Sequence, residues 1–214
     1  DHHDVPFVEE GDAHREILPE AAAVINPKQE GCSYPFKQIC GAVVAFKFVQ
    51  ILYEFSGVSP QETEEFLEIT AMATVCDVMI LQDENRILVK EGLRRMNRSK
   101  IPGLRALIAA NHLEEKKLTA YHLGFILGPC INASGRLDTA KKALDLLLCT
   151  DPERCRVMAE ELLELNAERK EMTRQGEEAA HAYLESTGYV HDKVLVVFLP
   201  DCHESIAGII AGRI

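Results

Sequence analysis

One long helical pattern constrains the fold of this 214-residue chain more than any other feature of its sequence. The segment Thr150-Asp151-Pro152-Glu153 is typical of a helix start, with proline at the first helical position. Apolar residues then recur with helical spacing, and nothing stronger than Gly176 interrupts the pattern before Gly188. A helix of about 35 residues is about 50 Å long, which exceeds the diameter of one small domain. We therefore predict a helix over 151–187 that connects two domains.

The composition favours a globular protein of the cytoplasm. Hydrophobic residues make up 47% of the chain and charged residues 27%, which is enough apolar material for a core. No apolar run is long enough to span a membrane, and no basic stretch leads into a short apolar one, so we expect neither a membrane span nor a signal peptide. Seven scattered cysteines without a C-x-x-C pair predict free thiols. The net charge of −11 argues against a basic surface that coats nucleic acid, and it fits carboxylates gathered around cations.

The remaining pattern predicts an α/β fold. Short apolar runs at 21–25 and 193–199 indicate buried strands. Helices are predicted over 39–55, 59–75, 85–96, 138–148 and from 205 onwards. Ser59 is the expected N-cap of the second helix, with Glu62 in a capping box, and Asp138 is the expected cap of the fourth. Asp77 then falls at or just past the end of the second helix.

The chain begins with D-H-H, three residues that are good metal ligands. Neighbouring side chains on an extended segment point to opposite sides. We therefore expect that His2 and His3 do not hold one ion together, and that one binds a metal while the other faces either a substrate or a residue that supports the site. A polar chain end without function remains the alternative.

Asp77 is a carboxylate within the apolar stretch T-V-C-D-V-M-I-L. A buried, unpaired charge is costly, so such an aspartate usually faces a cation, an arginine or several donors. Asp77 is therefore a candidate metal ligand. The alternative is an aspartate that only caps the preceding helix.

Two further segments carry groups that suit a phosphate. The non-periodic segment 128–137 (G-P-C-I-N-A-S-G-R-L) predicts a loop that offers backbone N–H groups and the Arg136 guanidinium, or else a purely structural loop between helices. His203 precedes the helix start S-I-A-G-I-I-A-G-R-I, which is typical of an anion site at a helix N-terminus, although many α/β units have such a segment without a ligand. Cys130 and Cys202 lie close by, but no adjacent base supports a thiol nucleophile.

Six segments, taken in order, closely resemble the RecJ family, the single-strand-specific 5′→3′ DNA exonucleases of the DHH phosphoesterase superfamily. They are D-H-H-D-V-P-F, A-V-I-N-P-K-Q, Y-P-F-K-Q-I-C-G-A-V-V-A-F-K, T-V-C-D-V-M-I-L-Q-D-E-N-R-I-L-V-K-E-G-L, G-P-C-I-N-A-S-G-R-L and S-I-A-G-I-I-A-G-R-I. The D-H-H triplet is shared across the superfamily. The N-P-K-Q, D-E-N-R and G-P-x-x-N-A-x-G-R-L segments are more specific to the RecJ family.

The resemblance implies a metal-dependent nuclease that hydrolyses phosphodiester bonds in single-stranded DNA, in DNA repair and recombination. It implies two ions, Mn²⁺ or Mg²⁺, which oxygen and imidazole ligands suit. His2 and Asp77 would ligate metal, His3 would contact the scissile phosphate and Asp1 would orient the histidines. Phosphate contacts are also implied in the second, smaller domain, by Asn132, Ser134, Arg136, His203 and Arg213. The two arginines bring charge as well as donors.

The implied architecture is a DHH domain with a parallel sheet and helices over 1–150, the long helix over 151–187 and the start of the DHH-associated domain at 188–214. Family segments that would precede residue 1 and follow residue 214 are absent, so we expect an internal piece that binds metal weakly and cleaves nothing alone. A single-strand-binding protein and a helicase are implied as partners. Many relatives carry Arg where this chain has Cys130 and Ser where it has Gly212, which predicts that one or two phosphate contacts are lost or supplied elsewhere.

Two other functions remain open. A DHH phosphoesterase for short oligonucleotides or cyclic dinucleotides would share D-H-H, but the N-P-K-Q and D-E-N-R segments and the long helix speak against it. A silent relative that serves as a scaffold in a replication complex would tend to lose the metal ligands, whereas His2, His3 and Asp77 are all present.

Overall fold

Helices dominate the structure, a computed structural model that describes residues 1–11 and 13–214. The helices are α1 (Gly41–Phe55), α2 (Leu67–Cys76), α3 (Asp83–Met96), α4 (Pro102–Ala110), α5 (Ala120–His122), α6 (Gly128–Leu137), α7 (Lys141–Leu148), α8 (Pro152–Thr187) and α9 (Glu204–Ala211). Strands β1 (Phe7–Glu10) and β2 (Ala13–Glu16) form an antiparallel hairpin. None of the helices within the described ranges combines the length and apolar character needed to cross a bilayer.

The chain divides into two compact units. The first comprises Asp1–Ser99 with Lys117–Phe125, and the second comprises Lys100–Lys116 with Ile126–Ile214. The whole of α8 lies in the second unit. The domain limits at 150 and 187, and the connecting role of the long helix, stay predictions.

The predicted long helix forms as α8, and local signals set both of its ends. The Asp151 carboxylate accepts hydrogen bonds from the backbone N–H groups of Glu153 and Arg154, at 2.9 and 3.2 Å. The helix ends at Gly188, whose φ of 75° is accessible to glycine without steric cost. Both signals are readable in the sequence.

Gly176 makes room for α9 on the surface of α8. A Cβ atom at this position would lie 2.3 Å from Ile210 Cδ1, so the missing side chain lets Ile210 pack onto the long helix. Ile210 and Ile206 are buried there with Ala180 in a small apolar cluster. This packing offsets the propensity cost of a glycine inside a helix.

Neither predicted strand forms. The segments 21–25 and 193–199 are not strands, and within the described residues the only sheet is the antiparallel β1–β2 hairpin, not a parallel sheet. A strand requires a neighbour that completes its backbone hydrogen bonds, and no described segment pairs with either run. In 193–199 the apolar side chains still alternate: Val197 and Leu199 pack against the cluster at α9, whereas Val194, Val196 and Phe198 are exposed.

The segment 128–137 is helix α6, and the predicted loop is wrong. Pro129 suits the first turn, because its φ is already helical and its missing N–H is not needed there. Cys130 and Ala133 are fully buried at helical spacing, so one face of the segment contributes to the core. The backbone N–H groups within the helix bond to its own carbonyl groups and do not form a phosphate cradle.

Asp138 ends α6 and does not cap the next helix as predicted. It is the C-cap residue of α6, and α7 begins after Ala140. The Asp138 carboxylate pairs instead with Lys142, at 2.8 Å.

The first unit brings α2 and α3 into close contact. A Cβ atom on Gly92 would lie 2.3 Å from Ala71 Cβ and 2.4 Å from the Leu67 carbonyl oxygen, so only glycine permits this approach.

Ser59 caps a 3₁₀ segment, Pro60–Phe66, that leads into α2, and its hydroxyl accepts from the Gln61 backbone N–H and not from Glu62. The helix ends with Asp77 as its C-cap, as predicted.

Glu68 is a buried carboxylate on α2. Its side chain is 9% exposed, and one carboxylate oxygen has no hydrogen-bond partner among the residues that the structure describes. Burial raises the pKa of Glu68, and a hydrogen bond from Ser99 opposes that effect. The folded protein therefore holds this proton more tightly than the unfolded chain does.

We expect Glu68→Gln to raise the free energy of unfolding at pH 8 by about 1 kcal/mol, because the neutral amide is not penalised by burial as a carboxylate is. A raised pKa in the folded state stabilises the fold below the ordinary glutamate pKa, and this contribution is lost as the pH rises. Urea unfolding from about pH 4 to pH 8 should thus show an advantage that grows with pH. The exposed Glu65→Gln is the control, and an equal gain in both variants would contradict the prediction.

Candidate metal centre and phosphate-binding residues

His2 and Asp77 lie side by side in the first unit. His2 Nε2 is 3.2 Å from Asp77 Oδ2, although the two residues are 75 positions apart in the chain. The end of α2 delivers Asp77, and the His2 ring lies near Gly41 at the start of α1, where a Cβ would be 3.6 Å from His2 Cδ2. The His2 side chain is 17% exposed and that of Asp77 46%, so the pair is open to solvent on one side.

The D-H-H segment is bent, and the two histidine rings are neighbours. The Asp1 carboxylate accepts hydrogen bonds from the backbone N–H groups of His2 and His3, at 2.7 and 3.3 Å. This local turn brings the ring centroids of His2 and His3 to 4.5 Å, with a tilt of 41° between the planes. The expectation that the rings point to opposite sides is wrong, because it assumed an extended backbone.

Donor atoms of the D-H-H segment form a compact group. One donor atom each from Asp1, His2 and His3 lies within 4.8 Å of the others. Adjacent ligands of an octahedral ion about 2.1 Å away are about 3 Å apart. The 3.2 Å between His2 Nε2 and Asp77 Oδ2 therefore suits two neighbouring ligands of one divalent cation.

The N-P-K-Q segment anchors the D-H-H segment. The Asn26 amide donates to the His3 carbonyl at 3.0 Å, and its oxygen accepts from the Lys28 backbone N–H at 2.9 Å. The Lys28 ammonium pairs with Asp4 at 2.7 Å, and the resulting hydrogen bond and charge hold the pKa of Asp4 below its usual range. The sequence signal for these supports was present in N-P-K-Q, but the pattern alone assigned them no role.

The D-E-N-R segment holds the entry to α1 against the turn after Asp77. Asn85 is fully buried, and its amide donates to the Gln38 carbonyl at 2.6 Å and the Ile80 carbonyl at 2.9 Å. Its neighbour Glu84 accepts from the Tyr34 hydroxyl at 2.7 Å and pairs with Lys47 at 2.8 Å. Sequence reasoning used this segment only for the resemblance and missed its supporting role.

The second unit contains the residues implied to bind phosphate. Asn132, Arg136, His203 and Arg213 are exposed. Arg136 Nη1 donates to the Ser205 carbonyl at 2.5 Å, and His203 caps α9 by accepting from the Ser205 backbone N–H. Arg213 Nη1 pairs with Glu177 at 2.9 Å.

Ser134 and Cys130 point into the second unit. Ser134 is fully buried, and its hydroxyl donates to the Ile131 carbonyl at 2.8 Å. Cys130 is also fully buried, and burial raises the pKa of its thiol, which agrees with the absence of a predicted nucleophile. The phosphate contact assigned to Ser134 stays a prediction.

The chain resembles RecJ proteins in both sequence and fold, whereas no family model matches it. It is 37% identical over 213 residues to the single-stranded-DNA-specific exonuclease RecJ of Salmonella typhimurium, covering 93% of this chain and 37% of that protein. The corresponding RecJ of Escherichia coli is 35% identical over 212 residues, with the same coverage. The crystal structure of RecJ in complex with Mn²⁺ from Thermus thermophilus superposes with a TM-score of 0.73 at 36% identity, covering 85% of this chain and 26% of that one.

The fold matches that of the Thermus thermophilus RecJ structure, so the predicted α/β class is confirmed at the level of the fold match. In both sequence and fold this chain is similar to RecJ proteins. It spans about a third of the length of the curated relatives it matches. The names of these relatives favour neither of the two alternative functions.

Replacing Asn26 by alanine is expected to loosen the D-H-H segment without unfolding the first unit, because only its two hydrogen bonds with His3 and Lys28 are lost. We expect a stability loss of about 1 to 2 kcal/mol. Backbone hydrogen exchange at His3 to Val5 should accelerate, while exchange in α3 stays unchanged. The exposed Asn132→Ala serves as control, and an unchanged exchange rate at 3–5 would show that Asn26 does not anchor the segment.

Proposed function

We propose that this chain forms part of a RecJ-type exonuclease, which removes nucleotides from the 5′ end of single-stranded DNA in repair and recombination. The observation that carries the proposal is the approach of His2 to Asp77, in a chain that shares sequence and fold with RecJ proteins. A hydrolase of this kind must activate water and stabilise charge on a phosphate, and a site of imidazole and carboxylate donors supports both.

The proposed cofactor is Mn²⁺ or Mg²⁺, and the residues present suit such an ion. His2 and Asp77 offer one nitrogen and one oxygen at a spacing that fits adjacent ligands. RecJ from Thermus thermophilus has been crystallised with either ion. When bound, a divalent ion supplies a nucleophilic water at neutral pH and draws charge from the phosphate oxygens.

Asp1 and His3 act as a second pair in this proposal. An ionised carboxylate only accepts hydrogen bonds, so His3 Nδ1–H donates to Asp1 Oδ1, at 2.7 Å. This bond fixes the ring orientation and leaves Nε2 of His3 directed away from Asp1. His3 can then contact the scissile phosphate while Asp1 orients it, in the roles that the resemblance implies.

The second unit supplies the proposed contacts to the phosphates of the strand. Arg136 and Arg213 carry the charge that a polyanion requires, and exposed Asn132 and His203 add neutral donors. A single-strand-binding protein and a helicase are the proposed partners, and the cytoplasm is the proposed location. These last assignments rest on the resemblance to the RecJ family.

The full-length protein, incubated with Mn²⁺ and a single-stranded oligonucleotide labelled at its 3′ end, is expected to give a ladder that shortens from the 5′ end. Asp77→Ala should slow this digestion at least about 100-fold, because losing even a residue that orients a ligand costs 10- to 100-fold. Glu54→Ala removes an exposed carboxylate of the same unit and should leave the rate unchanged. The 214-residue chain alone is expected to bind Mn²⁺ weakly and to digest nothing.

Two results would overturn this proposal. Digestion from the 3′ end would exclude the proposed polarity. Equal activity of Asp77→Ala and the wild type would remove Asp77 from the metal site.

A further inference from the structure

Three arginines of the second unit lie on or beside helices that pack against one another. Arg136 lies in the last turn of α6, Arg169 lies in the middle of α8 and Arg213 follows α9. Arg136 is bound to a neutral carbonyl group, that of Ser205, and Arg213 to one carboxylate, that of Glu177. Arg169 has not been assigned a role so far.

Arg169 has no carboxylate partner among the residues that the structure describes. Its Nε and Nη2 atoms donate to the neutral Asn166 Oδ1, at 3.2 and 3.1 Å. Burial, followed by the positive charges of Arg136 and Arg213, lowers the pKa of Arg169. The half-buried guanidinium is thus held close to two like charges, and this arrangement is unfavourable unless an anion joins it.

Two other arginines of α8 have carboxylate partners. Arg174 pairs with Glu171 and Glu178, at 2.6 and 2.5 Å, and Arg156 pairs with Glu153 and Glu160. The helix is rich in glutamate, so a carboxylate one turn away is the ordinary environment of an arginine here. Arg154 also has no carboxylate partner among the described residues, but it is exposed, whereas Arg169 is half-buried and its unpaired charge is more costly.

A series of hydrogen bonds through the buried side chains of Asn166 and Cys130 fixes the position of Arg169. Asn166 is 3% exposed, and its Nδ2 donates to Cys130 Sγ at 3.4 Å. Cys130 in turn donates to the Ile126 carbonyl at 3.3 Å. Because Asn166 Nδ2 is engaged by the sulfur, its oxygen faces Arg169, and the Nη1 atom of Arg169 is left without a partner among the described residues.

We propose that Arg169 is a third phosphate-binding guanidinium, which acts with Arg136 and Arg213 on a phosphate group of the bound single strand, and that Asn166 is its positioning residue. The inference rests on the proposed function, which supplies the polyanion. A phosphate offers several acceptor oxygens and the negative charge that Arg136 and Arg169 lack as a partner among the described residues. This contact supplies a positive charge from α8, whereas the buried Cys130 on α6 offers no charge.

The test is binding of a fluorescent single-stranded oligonucleotide to the full-length protein in EDTA, which prevents hydrolysis, over a series of salt concentrations. Arg169→Gln should weaken binding about tenfold, as expected for one charge-assisted contact. The negative slope of log K against log salt should become shallower by about 0.7, because one fewer counterion is released from a single strand. Arg169→Lys keeps the charge but not the fork, so its slope should stay near that of the wild type.

Arg174→Gln is the matched control, because it removes the same charge from an exposed, ion-paired position on the same helix. It should leave both affinity and slope unchanged. Asn166→Asp should weaken binding and lower the slope like Arg169→Gln, because a carboxylate beside Arg169 would compete with the phosphate. This second variant retains the guanidinium, so it still decides the question if Arg169→Gln fails to fold in a thermal melt.

Oligonucleotides with a 5′-phosphate or a 5′-hydroxyl distinguish the source of the phosphate. A defect confined to the 5′-phosphorylated strand assigns Arg169 to the terminal phosphate, and an equal defect on both assigns it to a phosphate within the strand. If the salt dependence of binding has the same slope for Arg169→Gln as for Arg174→Gln, the inference about Arg169 is overturned and the proposed function is not affected. If the wild-type protein binds no single strand at all, the proposed function fails instead.

Discussion

The candidate metal centre depends on one buried amide. Asn85 donates to the carbonyl groups of Gln38, two residues before the N-cap of α1, and Ile80, three residues after Asp77. It thereby ties the start of α1, near the His2 ring, to the end of α2, which carries Asp77. A buried amide without partners is costly, so these two bonds stabilise the arrangement that brings both carbonyl groups to Asn85.

The segments on which the resemblance to the family depends mainly support the site, and they supply few of its donor atoms. N-P-K-Q holds the D-H-H turn through Asn26, and D-E-N-R holds α1 and the turn after α2 through Glu84 and Asn85. Ligands must lie within a few tenths of an ångström of their positions to bind a cation well, so the supporting residues matter as much as the donors. Their residue types are specific because each amide satisfies particular backbone groups.

Charge is divided unevenly within a chain of net charge −11. Along α8, glutamates neutralise Arg156 and Arg174, whereas Arg169 is left to face Arg136 and Arg213. In the proposed binding mode, three guanidinium groups, of which only Arg213 has a carboxylate partner among the described residues, outweigh distant carboxylates that salt screens.

The sequence by itself determined the elements whose signals are local. Asp151 and Gly188 set the ends of α8, because caps act within a few residues. Tertiary structure decided the rest. The runs at 21–25 and 193–199 form no strand without a pairing neighbour, and the segment 128–137 is a helix because burial of one face outweighs its glycines. The contacts of His2 with Asp77 and of Arg136 with Ser205 join residues far apart in the chain, and no local pattern encodes such distances.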